Sequence, residues 1–126
     1  MSWILLVVDD PDIATMLSLF LLKHGYQVIC IEDVSSTIQI LAQHPIHLVI
    51  LKPPARGLIR FDVIRMLNQP DRAIPLLVMT YVDERSAYLS GCLVDFITQP
   101  FDIEEMRLRI HSLLSKATAS VSTDEA

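Results

Sequence analysis

Glycine is scarce in this chain, with three in 126 residues, and no glycine-rich loop of the kind that cradles a nucleotide phosphate occurs. Cysteine is scarcer still: Cys30 and Cys92 are the only two. Neither stands in a CxxC or Cys/His spacing, so the common zinc and dithiol motifs are excluded, and both are expected to be buried thiols in a reducing cytoplasm. Positive charge is also in short supply, ten Lys and Arg against fifteen Asp and Glu for a net charge of -5, with no basic cluster. Direct binding to a nucleic-acid backbone is therefore not expected. No run approaches the roughly 20 apolar residues that span a bilayer. The apolar opening from Trp3 to Val8 has no basic flank or small-residue cleavage site, which reads as a strand and not as a signal peptide. Internal repeats and low-complexity tracts are absent.

What is present is apolar residue in abundance, 52% of the chain, enough for one domain with a real core. Strand and helix patterns alternate along it. Ile4 to Val8 reads as a first strand, closed by Asp9, Asp10, Pro11 and Asp12, which offer a helix N-cap. A helix to about His24 carries Ile13, Met16, Leu17, Phe20 and Leu21 as one expected core stripe, with Leu19 and Leu22 outside it, and Gly25 ends it. Tyr26 to Ile31 is a second strand. Ser35 to Gln43 is a short helix with Ile38 and Leu41 expected inward. Leu48 to Leu51 is a third strand, Phe61 to Leu67 a helix stopped near Pro70, and Pro75 to Thr80 a fourth strand. A helix from about Asp83 to Ser90, a fifth strand from Leu93 or Val94 to Thr98, and a last helix from Asp102 complete the pattern. The last helix is expected to present Ile103, Met106, Ile110 and Leu113 to the core. Five strand–helix units predict an α/β fold, a single five-stranded parallel sheet with helices on both faces. Residues 1–115 form this domain, and 116–126, polar and rich in Ser and Thr, are expected to be a disordered tail or linker.

The third strand organises the chain's chemistry. Leu48 to Leu51 is continuously apolar, as a strand buried on both faces must be, and it ends on Lys52 followed by two prolines. Ligands of open α/β sheets gather at the carboxyl ends of the strands, so Lys52 stands where function is decided. No nucleophile and base occur at matched spacing, and His24, His44, His47 and His111 read as helix-end or surface residues, so no enzyme activity is expected.

The pattern resembles the receiver domain of bacterial two-component response regulators, the flavodoxin-like (βα)5 receiver fold, from Trp3 to about Ser115. The resemblance is carried by Ile4 to Asp9 with Pro11-Asp12-Ile13, Gly25-Tyr26, His47 to Leu51, Gly57, Val78-Met79-Thr80, and Phe96-Ile97-Thr98-Gln99-Pro100-Phe101. It implies a Mg²⁺ site at an acidic pair after the first strand and a phosphoacceptor aspartate at the end of the third. It also implies a Ser/Thr after the fourth strand and a lysine before a cis-proline that bind the phosphate.

In this chain the phosphoacceptor position is Lys52, the phosphate-binding lysine position is Gln99, and Thr80 and Pro100 remain. An ungapped register puts Val8 at the first acid and Asp9 at the second, with Asp10 after it. Phe96 matches the switch aromatic, or is an ordinary core residue. Tyr81 would crowd the phosphate site, Arg60 replaces a loop glycine, and Pro53-Pro54 stiffens a loop that normally moves. The interval from Thr80 to Gln99 is shorter than the family's, by about one turn of the fourth helix. An ammonium in place of a carboxylate removes a metal ligand and repels the cation, so Mg²⁺ binding is expected to be lost or weak, with no other cofactor. Lys52 either pairs with Asp9 or Asp10 as a counter-cation or extends along apolar surface to solvent.

These losses imply a receiver that is not phosphorylated in the usual way and acts through a protein partner, an output domain or a homodimer, in the cytoplasm. A second reading is a small-ligand pocket around Asp9, Lys52, Thr80 and Tyr81. Leu19, Leu22 and the altered fourth and fifth helices are the candidate contact surface.

Overall fold

The computed structural model describes residues 2–52, 68–69, 72–80 and 93–125. Its elements are β1 (Trp3–Val7), α1 (Pro11–Lys23), β2 (Gln27–Ile31), a 3₁₀ turn at Val34–Ser36, α2 (Thr37–Gln43) and β3 (Leu48–Leu51), then β4 (Asn68–Gln69), β5 (Arg72–Ala73), β6 (Leu76–Thr80), β7 (Val94–Thr98) and α3 (Ile103–Glu125). Five strands form one sheet in the order β2-β1-β3-β6-β7, every pair parallel. The expected sheet and its strands are therefore observed, each within a residue or so of its expected bounds. The short antiparallel ribbon of β4 and β5 was not expected. The helices read at Phe61 to Leu67 and Asp83 to Ser90 lie outside the described residues, as do Arg60, Tyr81, Pro53-Pro54, Gly57 and Cys92.

Side-chain alternation along the strands divides the core in two. Ile4, Leu6, Leu48, Ile50, Leu77 and Met79 point to one face and pack against Leu17 and Leu21 of α1 and Met106, Ile110 and Leu113 of α3. Leu5, Val7, Val49, Leu51, Leu76, Val78 and Phe96 point to the other, where Ile40 and Leu41 of α2 cover part of them. β3 and β6 are buried along their whole length, as central strands of a doubly covered sheet must be. β2, at the sheet's edge, is only half buried.

Local chemistry sets the helix ends. The Asp10 carboxylate accepts the N–H groups of Asp12 and Ile13 at 2.9 and 3.3 Å, capping α1, whose first residue is Pro11. At the other end the N–H of Gly25 donates to the Leu22 carbonyl and that of Tyr26 to Leu21, a Schellman closure. That closure needs a positive φ, and Gly25 supplies one of 88°.

Several sequence expectations are corrected. Met16, Ile38 and Ile103, read as core, are exposed, Ile38 by 67%. Each sits at the margin of its helix's apolar arc, where helical spacing does not say how far the sheet reaches. Cys30, read as buried, is exposed on β2, which among the described residues has a strand on one side only. The chain after Lys116, read as a disordered tail or linker, is helical through Glu125. No glycine or proline follows Phe101 to stop α3, and Ala117 and Ala119 favour its continuation. Leu19 and Leu22 are exposed as expected. His24 and His44 cap helix ends, and His47 and His111 are exposed.

Candidate functional site at the carboxyl edge of the sheet

The parallel register brings the ends of β1 and β3 together, Val7 beside Leu51, and the backbone N–H of Lys52 extends this pairing by donating to the Val7 carbonyl at 3.0 Å. On the other side of β1 the N–H of Val8 donates to the Ile31 carbonyl. Val8 is thereby turned into the core, 2% exposed, and Asp9 is the first residue free to leave the sheet. Its carboxylate Oδ1 lies 3.8 Å from the Lys52 ammonium Nζ. Lys52's side chain is 10% exposed and Asp9's 56%, so the cation is held within the edge while its partner faces water. At this separation the contact is an ion pair without a hydrogen bond, and the exposed carboxylate keeps it weak.

Asp10, grouped with Asp9 in the sequence reading, is assigned elsewhere: its carboxylate is occupied by the α1 cap. Of the two acids open to Lys52 in the sequence, the geometry selects Asp9.

The adjacent strand ends supply the rest of the edge. Thr80 closes β6 and is nearly buried, and its carbonyl accepts the N–H of Gln99 at 2.6 Å. Gln99 precedes Pro100 across a cis peptide bond. Its side-chain Oε1 is buried and has no hydrogen-bond partner among the described residues. Phe96 is 1% exposed and packs in the core on the α2 face of the sheet. Thus Asp9, Lys52, Thr80 and Gln99 stand on four neighbouring strand ends, while Asp10 and Phe96 serve the helix cap and the core. Tyr81 lies outside the described residues.

A charged cluster that sequence reading missed lies between β7 and α3. Arg109 Nη1 donates to both Asp95 carboxylate oxygens at 3.0 and 2.9 Å, and its Nε donates to Glu105 at 3.2 Å. Burial acts to lower the Arg109 pKa, but the hydrogen bonds and charges of Asp95 and Glu105 outweigh it and the net shift is upward. An acid inside an otherwise apolar strand, and Glu105 and Arg109 four apart on a helix, were the available signals. At the start of α3 the Arg107 guanidinium is hydrogen-bonded to Glu104 and holds that carboxylate below the usual range.

Among the described residues no group of three or more His, Cys, Asp or Glu is arranged to hold a metal ion. No helix among them is long and apolar enough to cross a membrane.

Residues 4–111 match the model of the response regulator receiver domain. The chain is similar to the probable transcriptional regulatory protein TcrX of Mycobacterium tuberculosis, 31% identical over 116 residues, covering 90% of this chain and 50% of that protein. Among solved structures it superposes on a putative response regulator from Chloroflexus aurantiacus with a TM-score of 0.75 at 23% identity, covering 90% of this chain and 98% of that one. The receiver domain of the TMAO respiratory system response regulator TorR gives 0.74 at 18% identity, covering 93% and 99%. The chain spans about half the length of the curated relatives it matches.

Proposed function

The chain belongs to the response regulator receiver family, and from that membership we propose that it is a signalling receiver whose phosphorylation chemistry has been replaced by the Lys52–Asp9 ion pair, so that it acts through protein contacts alone. Membership rests on the family match over residues 4–111. The observation that carries the finer reading is the Lys52 ammonium, 3.8 Å from Asp9 at the end of the central strand. An ammonium has no lone pair with which to ligate a hard cation, and it cannot form the acyl phosphate of a carboxylate. Val8, buried and apolar, supplies no side-chain oxygen, and Asp10 is spent on a cap. Asp9 alone is a poor claim on Mg²⁺, which demands several oxygen ligands in near-octahedral geometry. The residue set does not fit the metal, and Lys52 supplies the positive charge that the metal would bring.

In this reading the output is a protein partner or an output domain, as in regulators that are longer than this chain. The ion-paired surface of β7 and α3, with Asp95, Glu105 and Arg109, is a ready contact for it.

The test is incubation with acetyl phosphate and Mg²⁺, followed by intact-mass spectrometry. No added phosphate is expected, while a phosphoryl group mapped to Asp9 or Asp10 would overturn the proposal. One observation favours a second reading, in which the edge takes a small ligand: the buried Gln99 Oε1 beside Thr80, without a partner among the described residues. A thermal-shift screen of nucleotides, small anions and amides separates the two. Stabilisation that is lost in Gln99→Leu favours the ligand, and no shift with any compound removes it.

A further inference from the structure

We infer that the open edge of β2, with the apolar stripe of α1 above it, is the contact surface for a second copy of this chain, joined strand to strand about a two-fold axis. The inference concerns the edge strand β2, which β1 separates from the β3 end that carries Lys52, and does not depend on how that site is read.

The strand is built for such a contact. Gln27–Ile31 carries no charge, no proline and no bulge, the devices by which exposed edges usually avoid pairing. Its backbone direction is set by two bonds: the N–H of Gln27 donates to the Ser2 carbonyl, and the Ile31 carbonyl accepts from Val8. Residues 27, 29 and 31 therefore face β1, and alternation turns the N–H and C=O groups of Val28 and Cys30 to the open side. Among the described residues no strand lies beyond β2. An antiparallel pairing centred on Ile29 sets Val28 of one copy against Cys30 of the other. Both residues then exchange N–H···O bonds, four in all, with no side chain forced to another face.

The helix layer fits the same symmetry. A two-fold axis normal to the sheet places both α1 helices on one face, antiparallel across the seam. Met16, Leu19 and Leu22 form an exposed stripe at three-residue steps, Leu19 by 65%. Leu19 also lines a groove of about 400 Å³ between the first half of α1 and the far end of β2, with Ala14, Ser18, Cys30 and Glu32. In the paired arrangement, the end of α1 from the second copy reaches this groove and brings Leu22 to it. The same rotation puts Glu32 of each copy beside the Lys23 and His24 end of the other. Opposite charges therefore meet twice, at the two ends of an uncharged strand. A strand from an unrelated protein would satisfy the backbone but has no reason to supply both charge pairs, which is why the second copy is the occupant.

The contact is small, at the low end for specific interfaces, so a reversible dimer is expected. Sedimentation equilibrium from micromolar to about 1 mM measures it. Leu19→Lys and Glu32→Lys, both at exposed positions, should each weaken the dimer by about tenfold or more, equal to ~1.4 kcal/mol. Adding Lys23→Glu to Glu32→Lys should restore it, and Leu108→Lys on α3 should leave it unchanged. Amide exchange at Val28 and Cys30 should slow as protein concentration rises. A monomer at every concentration would overturn the inference. So would a dimer dissolved by Leu108→Lys but not by Leu19→Lys, or one in which the Val28 and Cys30 amides exchange at an unchanged rate.

Discussion

Asp9 and Asp10 are adjacent and chemically identical, yet they do different work because one backbone hydrogen bond separates them. Val8 is still tied to Ile31, so Asp9 leaves the sheet toward Lys52, while Asp10 already has the extended backbone of an N-cap and bonds the N–H groups of Asp12 and Ile13. Asp10→Ala is expected to destabilise the fold by about 1 kcal/mol in urea unfolding and Asp10→Asn by much less, because the amide oxygen still caps. If Asp10 acted through its charge instead of its cap, Ala and Asn, which remove the same charge, would cost about the same. Its residue type was legible in the sequence as both a cap and an acid-site remnant, and only the geometry separated the two uses. The choice of Asp9 as the partner of Lys52 was likewise invisible, because it depends on the register of β1 against β3.

At the scale of elements, strand positions were read well and helix faces less well. A buried strand announces itself through an unbroken apolar run, and Leu48–Leu51 was read with its observed bounds. Ile38, Met16 and Ile103 were placed inward because helical spacing defines an arc without saying where its edges fall against the sheet. α3 shows a further effect of neighbours along a helix. Arg107 lowers the Glu104 pKa from its ordinary value of 4.5, chiefly through their hydrogen bond and also through charge, although desolvation of this exposed carboxylate works against it. A carboxylate held lower in the folded state than in the unfolded chain adds stability above the ordinary value, and that contribution disappears as pH falls through the lowered value. Glu104→Gln is therefore expected to flatten the acid limb of stability below about pH 5, with little change at neutral pH, in thermal melts across a pH series.

For the whole molecule, the proposed loss of the metal site predicts indifference to the metal. Anything that binds the folded state alone raises the melting temperature by mass action, and a site with millimolar affinity would gain ~1.4 kcal/mol at about 10 mM ligand. Adding about 10 mM MgCl₂ is expected to leave the melting temperature within about 1 °C of a control at matched ionic strength. A shift of several degrees that disappears in Asp9→Asn would show that the acidic remnant still holds the ion. At this scale the sheet's order also decides what is left open: β3 and β6 are buried, and β2 and β7 are its edges. β7 is joined to α3 by Asp95 and Arg109, whereas β2 leaves Cys30 exposed beside a groove.

The amino-acid order by itself determined the number and type of strands in the main sheet, the parallel architecture, and the lysine, Lys52, that follows the third strand. These are properties of local composition: an apolar run, a proline, the identity of one terminal residue. Tertiary structure alone decided which acid meets Lys52, that Gln99 buries an oxygen with no partner among the described residues, that Arg109 joins β7 to α3, and that Cys30 and Leu19 share a groove. Each of these depends on residues far apart in the chain being brought within a few ångströms by strand register and helix orientation, and no pattern along the chain encodes that distance.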